Sequence, residues 1–432
     1  MTDILDELHW RGLVAQSTDE TALREALAAG PVTYYCGFDP TAPSLHMGNL
    51  VQLITMRRFQ DAGHRPIALV GGSTGLIGDP KPTAERTLNS PETVAGWVEK
   101  LREQVSRFLV AGGPNGVQVV NNLDWTAPLS ALDFLRDVGK HFRVNRMLAK
   151  EAVSARLESQ DGISYTEFSY QILQAMDFLE LYREHGCRLQ LGGSDQWGNL
   201  TAGVDLVHRV AGAEVHALTT TLVTKADGTK YGKTEGGAVW LDAELTSPYA
   251  FYQFWLNAED SQVGRLLRVF SFRDRAEIER LEEATRERPQ AREAQRVLAA
   301  DVTTLVHGEQ ATRQAIAASQ ALFGRGALDE LDERTLRDAT AELARAEVGV
   351  GTSVVDAFVA AGLAPSRSGA RRTITEGGAY VNNAKVDDVE SVLGADQLLH
   401  GRYVLLRRGR KALAAGVAEA VDPDLTPSTA AP

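Results

Sequence analysis

Tyr35-Cys36-Gly37-Phe38-Asp39-Pro40-Thr41-Ala42-Pro43-Ser44-Leu45-His46-Met47-Gly48-Asn49-Leu50 decides the fold. Behind it, residues 32–36 are a short β-prone run; ahead of it Met47, Leu50, Leu53 and Ile54 recur at helical spacing. The stretch therefore reads as a strand, a turn and a helix start. Gly37, Pro40 and Pro43 punctuate the turn. Ser44 is the expected helix cap, so that free amides and the positive dipole end face the loop and favour an anion such as phosphate. His46 and Asn49, three positions apart, share a face of the first turn, and both can donate hydrogen bonds to a nucleotide.

Far downstream, Lys225-Ala226-Asp227-Gly228-Thr229-Lys230-Tyr231-Gly232-Lys233-Thr234 places Lys230 and Lys233 in a loop whose glycines loosen the backbone. A histidine at a helix start more often packs than binds, and a Gly/Lys-rich loop is more often a solvated turn. Their joint occurrence, in this order and on these elements, carries the weight. The His-x-Gly-Asn helix start and the Lys-x-Gly-Lys-Thr loop resemble the two signature sequences of the class I aminoacyl-tRNA synthetases.

Outward from the first stretch, the His46 helix is expected to reach about Gln60, and residues 65–70 read as a buried strand. Gly71 to Pro80 is glycine-rich, which allows backbone to approach a ligand closely, and Asp79 can present a carboxylate there. Its spacing is not that of a dinucleotide-binding Gly-x-Gly-x-x-Gly, and no helix start is evident within it, so a nicotinamide cofactor is disfavoured. A helix over 91–113 and strands over 116–121, 187–191 and 216–222 follow, with a helical region at about 127–184 between the third and fourth strands. The fourth strand runs into Gly192-Gly193-Ser194-Asp195-Gln196. Strands alternating with helices imply a parallel sheet with ligands at the carboxyl ends of its strands.

The 432 residues suggest two or three domains, and 44% hydrophobic with 24% charged residues is a globular composition. Net charge is −12, so any nucleic-acid contact must come from a local basic patch. Two cysteines, Cys36 and Cys187, with no Cys-x-x-Cys spacing, argue against a disulfide framework and a cysteine-built zinc site. No apolar run is long enough to span a membrane, and the acidic N-terminus is unlike a signal peptide, so a cytoplasmic protein is expected.

The expected fold is α/β. Residues 1–222 form a Rossmann-like, parallel-sheet nucleotide-binding domain with a helical insertion at about 125–185, and residues 223–323 hold the lysine loop and a helical domain. An acidic linker over 324–351, a small α+β module over 352–415 and a disordered tail over 416–432 complete the chain. Over 352–412, nine basic residues stand against six acidic ones, a local charge of +3. The pattern Ser366-Arg367-Ser368-Gly369-Ala370-Arg371-Arg372, with Gly377-Gly378-Ala379-Tyr380-Val381-Asn382, resembles a small RNA-binding domain of ribosomal-protein type. That resemblance implies that Arg367, Arg371 and Arg372 contact tRNA.

Tyr170-Gln171-Ile172-Leu173-Gln174-Ala175-Met176-Asp177 sets Tyr170, Gln174 and Asp177 on one helix face. With it, the resemblance spans the chain and is to the bacterial tyrosyl-tRNA synthetase family. It implies activation of L-tyrosine by ATP with Mg²⁺ and no protein-bound metal, then transfer to tRNA. Tyr35 and Asp177 would bind the phenol, and Asp79, Tyr170 and Gln174 the ammonium group. Gln196 would lie by the carbonyl, and Cys36, Asn49 and Asp195 by the ribose, with Gly48 admitting ATP. Thr41, His46, Lys230, Lys233 and Arg86 would meet the phosphates; Arg86 is preferred to Lys81 because the segment after Asp79 is shortened. The last histidine of the first signature is replaced by Asn49, which donates but does not titrate. The family also implies a symmetric homodimer joined through about residues 125–165.

Three alternatives have distinct signatures. A tryptophan-specific relative would lack the Tyr35 and Asp177 pair. A non-catalytic RNA-binding paralogue would have lost part of the His46, Asp195 and Lys233 set. A dinucleotide-forming nucleotidyltransferase would not account for the basic C-terminal module.

Overall fold

A computed structural model describes residues 3–80, 88–159, 162–225, 228–234, 237–322, 324, 326–409 and 412–418. Two compact units emerge, one of residues up to 245 with Glu259–Ala294, the other of Thr246–Ala258 with the chain from Gln295 on.

The first unit opens with α1 (Ile4–Trp10), β1 (Val14–Ser17), α2 (Glu20–Ala29), β2 (Thr33–Phe38), α3 (Met47–Asp61) and β3 (Arg65–Val70). It continues through α4 (Gly72–Ile77), α5 (Pro91–Phe108) and β4 (Gln118–Asn121). The short helices α6 (Leu123–Thr126), α7 (Ala131–Asp133), α8 (Val144–Leu148) and α9 (Glu151–Leu157) precede the long α10 (Tyr165–His185). Then come β5 (Leu189–Gly193), α11 (Trp197–Ala211), β6 (His216–Thr220) and the small hairpin β7 (Lys233–Thr234) with β8 (Gly237–Ala238). After α12 (Pro248–Leu256), which belongs to the second unit, α13 (Asp260–Phe270) and α14 (Arg275–Glu287) return to the first.

The sheet order is β1-β6-β5-β2-β3-β4. β2 to β6 run parallel, while β1 pairs antiparallel with β6. Tyr34, Tyr35, Cys36 and Phe38 of β2 are all buried, the two-sided burial of a central parallel strand. From β2 the order advances through β3 and β4 on one side and through β5 and β6 on the other. The crevice at the carboxyl ends of β2 and β5 is therefore the topological switch point, where such sheets bind ligands. α10 crosses beside it, started by Ser164, whose side chain accepts the Glu167 amide, and stopped by Gly186 in the left-handed region at φ 62°.

Several expectations need correction. The sheet holds a strand beyond the five expected, because β1 gives β6 an antiparallel partner. The helix expected over 91–113 stops at Phe108. A helix does start in the glycine-rich segment: α4 begins at Gly72, immediately after β3. Ser44 does not cap α3, since its hydroxyl donates to the Leu45 carbonyl; His46 is the cap.

In the second unit, α15 (Glu293–Ala321) bends where Gly308 takes φ 85°. It is followed by α16 (Glu333–Ala339), β9 (Ala344–Glu347), α17 (Val354–Ala360), α18 (Arg367–Thr375), β10 (Ala379–Val381), β11 (Ala384–Lys385), β12 (Tyr403–Arg408) and β13 (Ala412–Val417). The expected linker over 324–351 is instead part of the packed structure. Leu328, Leu331 and Leu336 are buried with Ala318, Leu322, Tyr403 and Leu405, and β9 pairs in parallel with β13. Each such leucine contributes roughly 1.5–3 kcal/mol of burial, which a free linker would forgo. The five-stranded sheet, ordered β11-β10-β12-β13-β9, thus begins before residue 352 and reaches Val417, beyond the expected limit of 415. The lysine loop belongs with the first unit. Most of the expected tail lies outside the described residues.

Candidate active site

The switch-point crevice holds a cavity of about 370 Å³. Into it the fold brings Tyr35 and Cys36 from β2, Thr41 from the turn, His46, Gly48 and Asn49 from the start of α3, and Asp79 from the segment after α4. Tyr170, Gln174 and Asp177 reach it from α10, Asp195 and Gln196 from the turn after β5, and Lys230 from the lysine loop. Two expected residues are not among those that line it. Arg86 lies outside the described residues, as does the alternative Lys81. Lys233 is placed in β7 by its backbone alone.

At the inner end, the Asp177 carboxylate accepts from Asn122 Nδ2 at 3.1 Å and from Trp125 Nε1 at 2.9 Å. Burial raises its pKa to about 8 even against those two donors. Tyr35 beside it is buried, and among the described residues its hydroxyl has no partner; the buried Gln174 Oε1 likewise has none among them. Buried polar atoms without partners are uncommon, and two at one cavity wait for a polar ligand. Burial, with the Asp177 charge second, lifts the Tyr35 pKa well above that of a free phenol, so its hydroxyl stays protonated.

A network fixes this end. Asn122 Nδ2 also donates to Thr74 Oγ1 at 3.0 Å, Thr74 donates to Asp39 Oδ1 at 2.6 Å, and Tyr170 donates its phenolic hydrogen to Asp39 Oδ2 at 2.6 Å. Gly71 makes room for it: a Cβ there would stand 2.1 Å from Asp39 Oδ1. The segment's glycine therefore admits a carboxylate of the chain itself. Asp79 is held by Gln196 Nε2 at 2.9 Å and Asn199 Nδ2 at 3.3 Å, and Lys150 bonds Asn199 in turn.

At the outer end, His46 and Asn49 cap α3 reciprocally. The Gly48 amide donates to His46 Nδ1 at 3.0 Å, and the His46 amide donates to Asn49 Oδ1 at 3.1 Å. The Met47 amide is taken by the Val239 carbonyl, and those of Asn49 and Leu50 by the His46 carbonyl. The expected free amides at this helix start are thus already engaged, which leaves anion binding to side chains and the helix dipole. Lys230 Nζ lies 3.0 Å from Asp195 Oδ2; both are about half exposed, so the pair is weak and exchangeable. Burial pushes the Cys36 thiol up to about 12, so it is neutral.

Residues 27–324 match the family model described as tRNA synthetases class I (W and Y), and residues 336–414 match the model described as the tyrosine–tRNA ligase SYY-like C-terminal domain. The tyrosine–tRNA ligase of Streptomyces coelicolor is 67% identical over 416 residues, which cover 96% of this chain and 99% of that one. That of Leifsonia xyli is 63% identical over 413 residues, 95% of this chain and 93% of its own. The chain belongs to the tyrosine–tRNA ligases. As a family member it is an enzyme of the class I aminoacyl-tRNA synthetases. A truncated mitochondrial tyrosyl-tRNA synthetase of Coccidioides posadasii has a TM-score of 0.64 at 31% identity, over 73% of this chain and 91% of that one. A tryptophanyl-tRNA synthetase of Encephalitozoon cuniculi, 13% identical with a TM-score of 0.56, shares the fold.

Site residues missed in the sequence are Asp39, Thr74, Asn122, Trp125, Lys150 and Asn199. Asp39 stood within the deciding stretch, but nothing in its neighbours distinguishes a network carboxylate from a turn aspartate. Asn122 and Trp125 lie just past β4, at a strand's carboxyl end, the one positional cue that could have marked them.

In the second unit the three expected RNA-binding arginines sit on α18, each beside a carboxylate: Arg371 and Glu390 at 2.7 Å, Arg367 and Asp356 at 3.3 Å, Arg372 and Glu376 at 4.0 Å. All are exposed pairs, which phosphate can displace at little cost.

Proposed function

We propose that the chain activates L-tyrosine with ATP to tyrosyl-adenylate and pyrophosphate, then passes the tyrosyl group to the terminal adenosine of its tRNA. The observation that carries this reading is the Tyr35 hydroxyl beside Asp177, without a partner among the described residues and deep in a cavity of amino-acid size. A phenolic hydroxyl there pairs both groups, whereas a phenylalanine ring leaves them bare at about 1–3 kcal/mol each. An indole NH would supply a donor only, so the pair favours tyrosine over tryptophan.

The ammonium group is assigned to Asp79, Tyr170 and the Gln174 Oε1 acceptor, which places the substrate carboxylate outward, by Gln196. ATP enters with Mg²⁺ on its phosphates. Its ribose is assigned to Cys36, Asn49 and Asp195, with Gly48 leaving the approach open, and its phosphates to Thr41, His46, Lys230, Lys233 and Arg86. The tyrosine carboxylate attacks the α-phosphorus and pyrophosphate departs, so the chain's task is alignment and stabilisation of phosphate charge. Lys230 exchanges Asp195 for phosphate as the nucleotide seats. Because Nδ1 of His46 accepts from Gly48, its proton resides on Nε2, which is then a donor to phosphate.

Arg367, Arg371 and Arg372 are assigned to tRNA. A homodimer is proposed through the segment from β4 to the start of α10, where Leu132, Leu135, Val144, Leu157 and Tyr165 are exposed apolar side chains. The work is placed in the cytoplasm, with tRNA; among the described residues no helix is long and apolar enough to cross a membrane. Tyrosine-dependent exchange of labelled pyrophosphate into ATP tests the first step and charging of tRNA the second. Exchange that phenylalanine or tryptophan supports as well as tyrosine would refute the assignment.

A further inference from the structure

The lysine loop and the start of α3 are physically joined. The Val239 carbonyl accepts the Met47 amide at 3.0 Å, the Leu241 amide donates to the Leu45 carbonyl at 2.9 Å, and His46 and Trp240 form an antiparallel bridge. The Val239 amide donates in turn to the Gly232 carbonyl at 2.9 Å. Gly232 takes φ 87°, where a Cβ would stand 2.5 Å from Met47 Cβ. Residues 239–241 therefore form a strap between 45–47 and the loop of Lys230 and Lys233. Upon this strap the Trp240 ring lies against the His46 imidazole, centroids 6.1 Å apart and tilted by 56°.

The first-turn amides of α3 are engaged by internal partners, and His46 lines the cavity mouth with Nε2 as its donor nitrogen. Its aim depends on the ring's rotation. The Gly48 amide restrains one edge of the imidazole, and the Trp240 ring stands beside it. A ring that rotates would present the donor correctly for only part of the time, and phosphate stabilisation falls with misplacement.

We propose that Trp240 is a positioning residue for adenylate formation: held on the strap, its ring orients the His46 imidazole toward the phosphates. This rests on the assignment of His46 to phosphate given above. Trp240 is not among the residues that line the cavity, so its removal should act through His46. Loss of the ring is expected to lower kcat for pyrophosphate exchange by about tenfold while the KM values for tyrosine and ATP change less than about twofold.

The test is a double-mutant cycle in the full-length protein, with His46→Ala, Trp240→Leu and both together, read by exchange of labelled pyrophosphate. Trp240→Leu keeps apolar bulk on the strap, and Trp240→Phe restores a ring and should recover most of the rate. The expected result is that Trp240→Leu slows the wild type about tenfold but the His46→Ala background less than about twofold. Multiplicative losses would overturn the proposal, as would full activity of Trp240→Leu, or a loss carried by KM. Should Trp240→Leu not fold, Trp240→Met, which also lacks a ring, takes its place in the cycle with the same overturning outcome. Failure of the underlying assignment reads differently: His46→Ala alone would then exchange at the wild-type rate.

Discussion

Tyr170 donates its phenolic hydrogen to Asp39 Oδ2 at 2.6 Å, which ties the tyrosine-facing side of α10 to the turn that leads into α3. Asp39 Oδ1 accepts from Thr74, and Thr74 accepts from Asn122, which itself reaches Asp177. The hydrogen bonds thus leave α10 at Tyr170 and return to it at Asp177, spanning four segments of chain. Asp39→Ala leaves the Thr74 and Tyr170 hydroxyls without their acceptor, at about 1–3 kcal/mol each. Both a lower melting temperature and a fall of about 100-fold in kcat/KM for tyrosine are expected, measured by calorimetry and pyrophosphate exchange.

Tyr35→Phe should separate stability from selectivity. The hydroxyl it removes has no partner among the described residues, so stability is expected to stay level or rise by up to about 1 kcal/mol. Discrimination between tyrosine and phenylalanine should nevertheless fall about tenfold, as a bond to the substrate hydroxyl disappears. Exchange assays with the two amino acids and a denaturant titration check the two halves.

Asp177 gives a pH dependence of unusual sign. Its folded pKa is raised to about 8 from an ordinary carboxylate value near 3.8, so between those values the folded chain holds a proton that the unfolded chain has released. More protons bound in the folded state means that this group lowers stability as pH rises from about 4 to 8, with no further change above. Asp177→Asn removes the effect. Its stability relative to wild type should climb by at least about 1 kcal/mol from pH 5 to pH 9 in denaturant titrations, while tyrosine activation is impaired throughout. Trp125→Phe, which deletes one donor to the carboxylate, should push the Asp177 pKa further up.

Replacing Arg367, Arg371 and Arg372 together by alanine should leave pyrophosphate exchange within about twofold and weaken tRNA charging. Each RNA phosphate that is no longer neutralised lowers the salt slope of affinity by about 0.7–0.9, so the triple variant should be less salt-sensitive by roughly 2. Filter binding of tRNA over a salt series, alongside exchange, makes the comparison.

The elements with strong local patterns were legible in the sequence: the buried runs that became β2, β3 and β5, the helical periodicity of α3 and the shared face of Tyr170, Gln174 and Asp177. β1 escaped because its pairing with β6 joins residues about two hundred positions apart, and Val14–Ser17 has no periodicity of its own. The stretch between α15 and β9 reads as acidic and loose, yet Leu328, Leu331 and Leu336 are covered by Tyr403 and Leu405 from far along the chain. Charge on the outer positions concealed an apolar inner face. The cap of α3 was misassigned because Ser44 has the better intrinsic propensity, and tertiary pairing of Met47 with Val239 shifted the start. Asn122 and Trp125 acquire their role only when α10 is laid against the end of β4.

The parallel pairing of β9 with β13 has a consequence for synthesis on the ribosome. Ala344 meets Ala414, so the strand that leaves the exit tunnel first waits for seventy more residues before its partner appears. During that interval β12 also lacks a neighbour on one side, and open strand edges invite foreign pairing. Nascent chains arrested before Ala412 should therefore be the most protease-sensitive and association-prone in the second unit, and release of the final strand closes the edge.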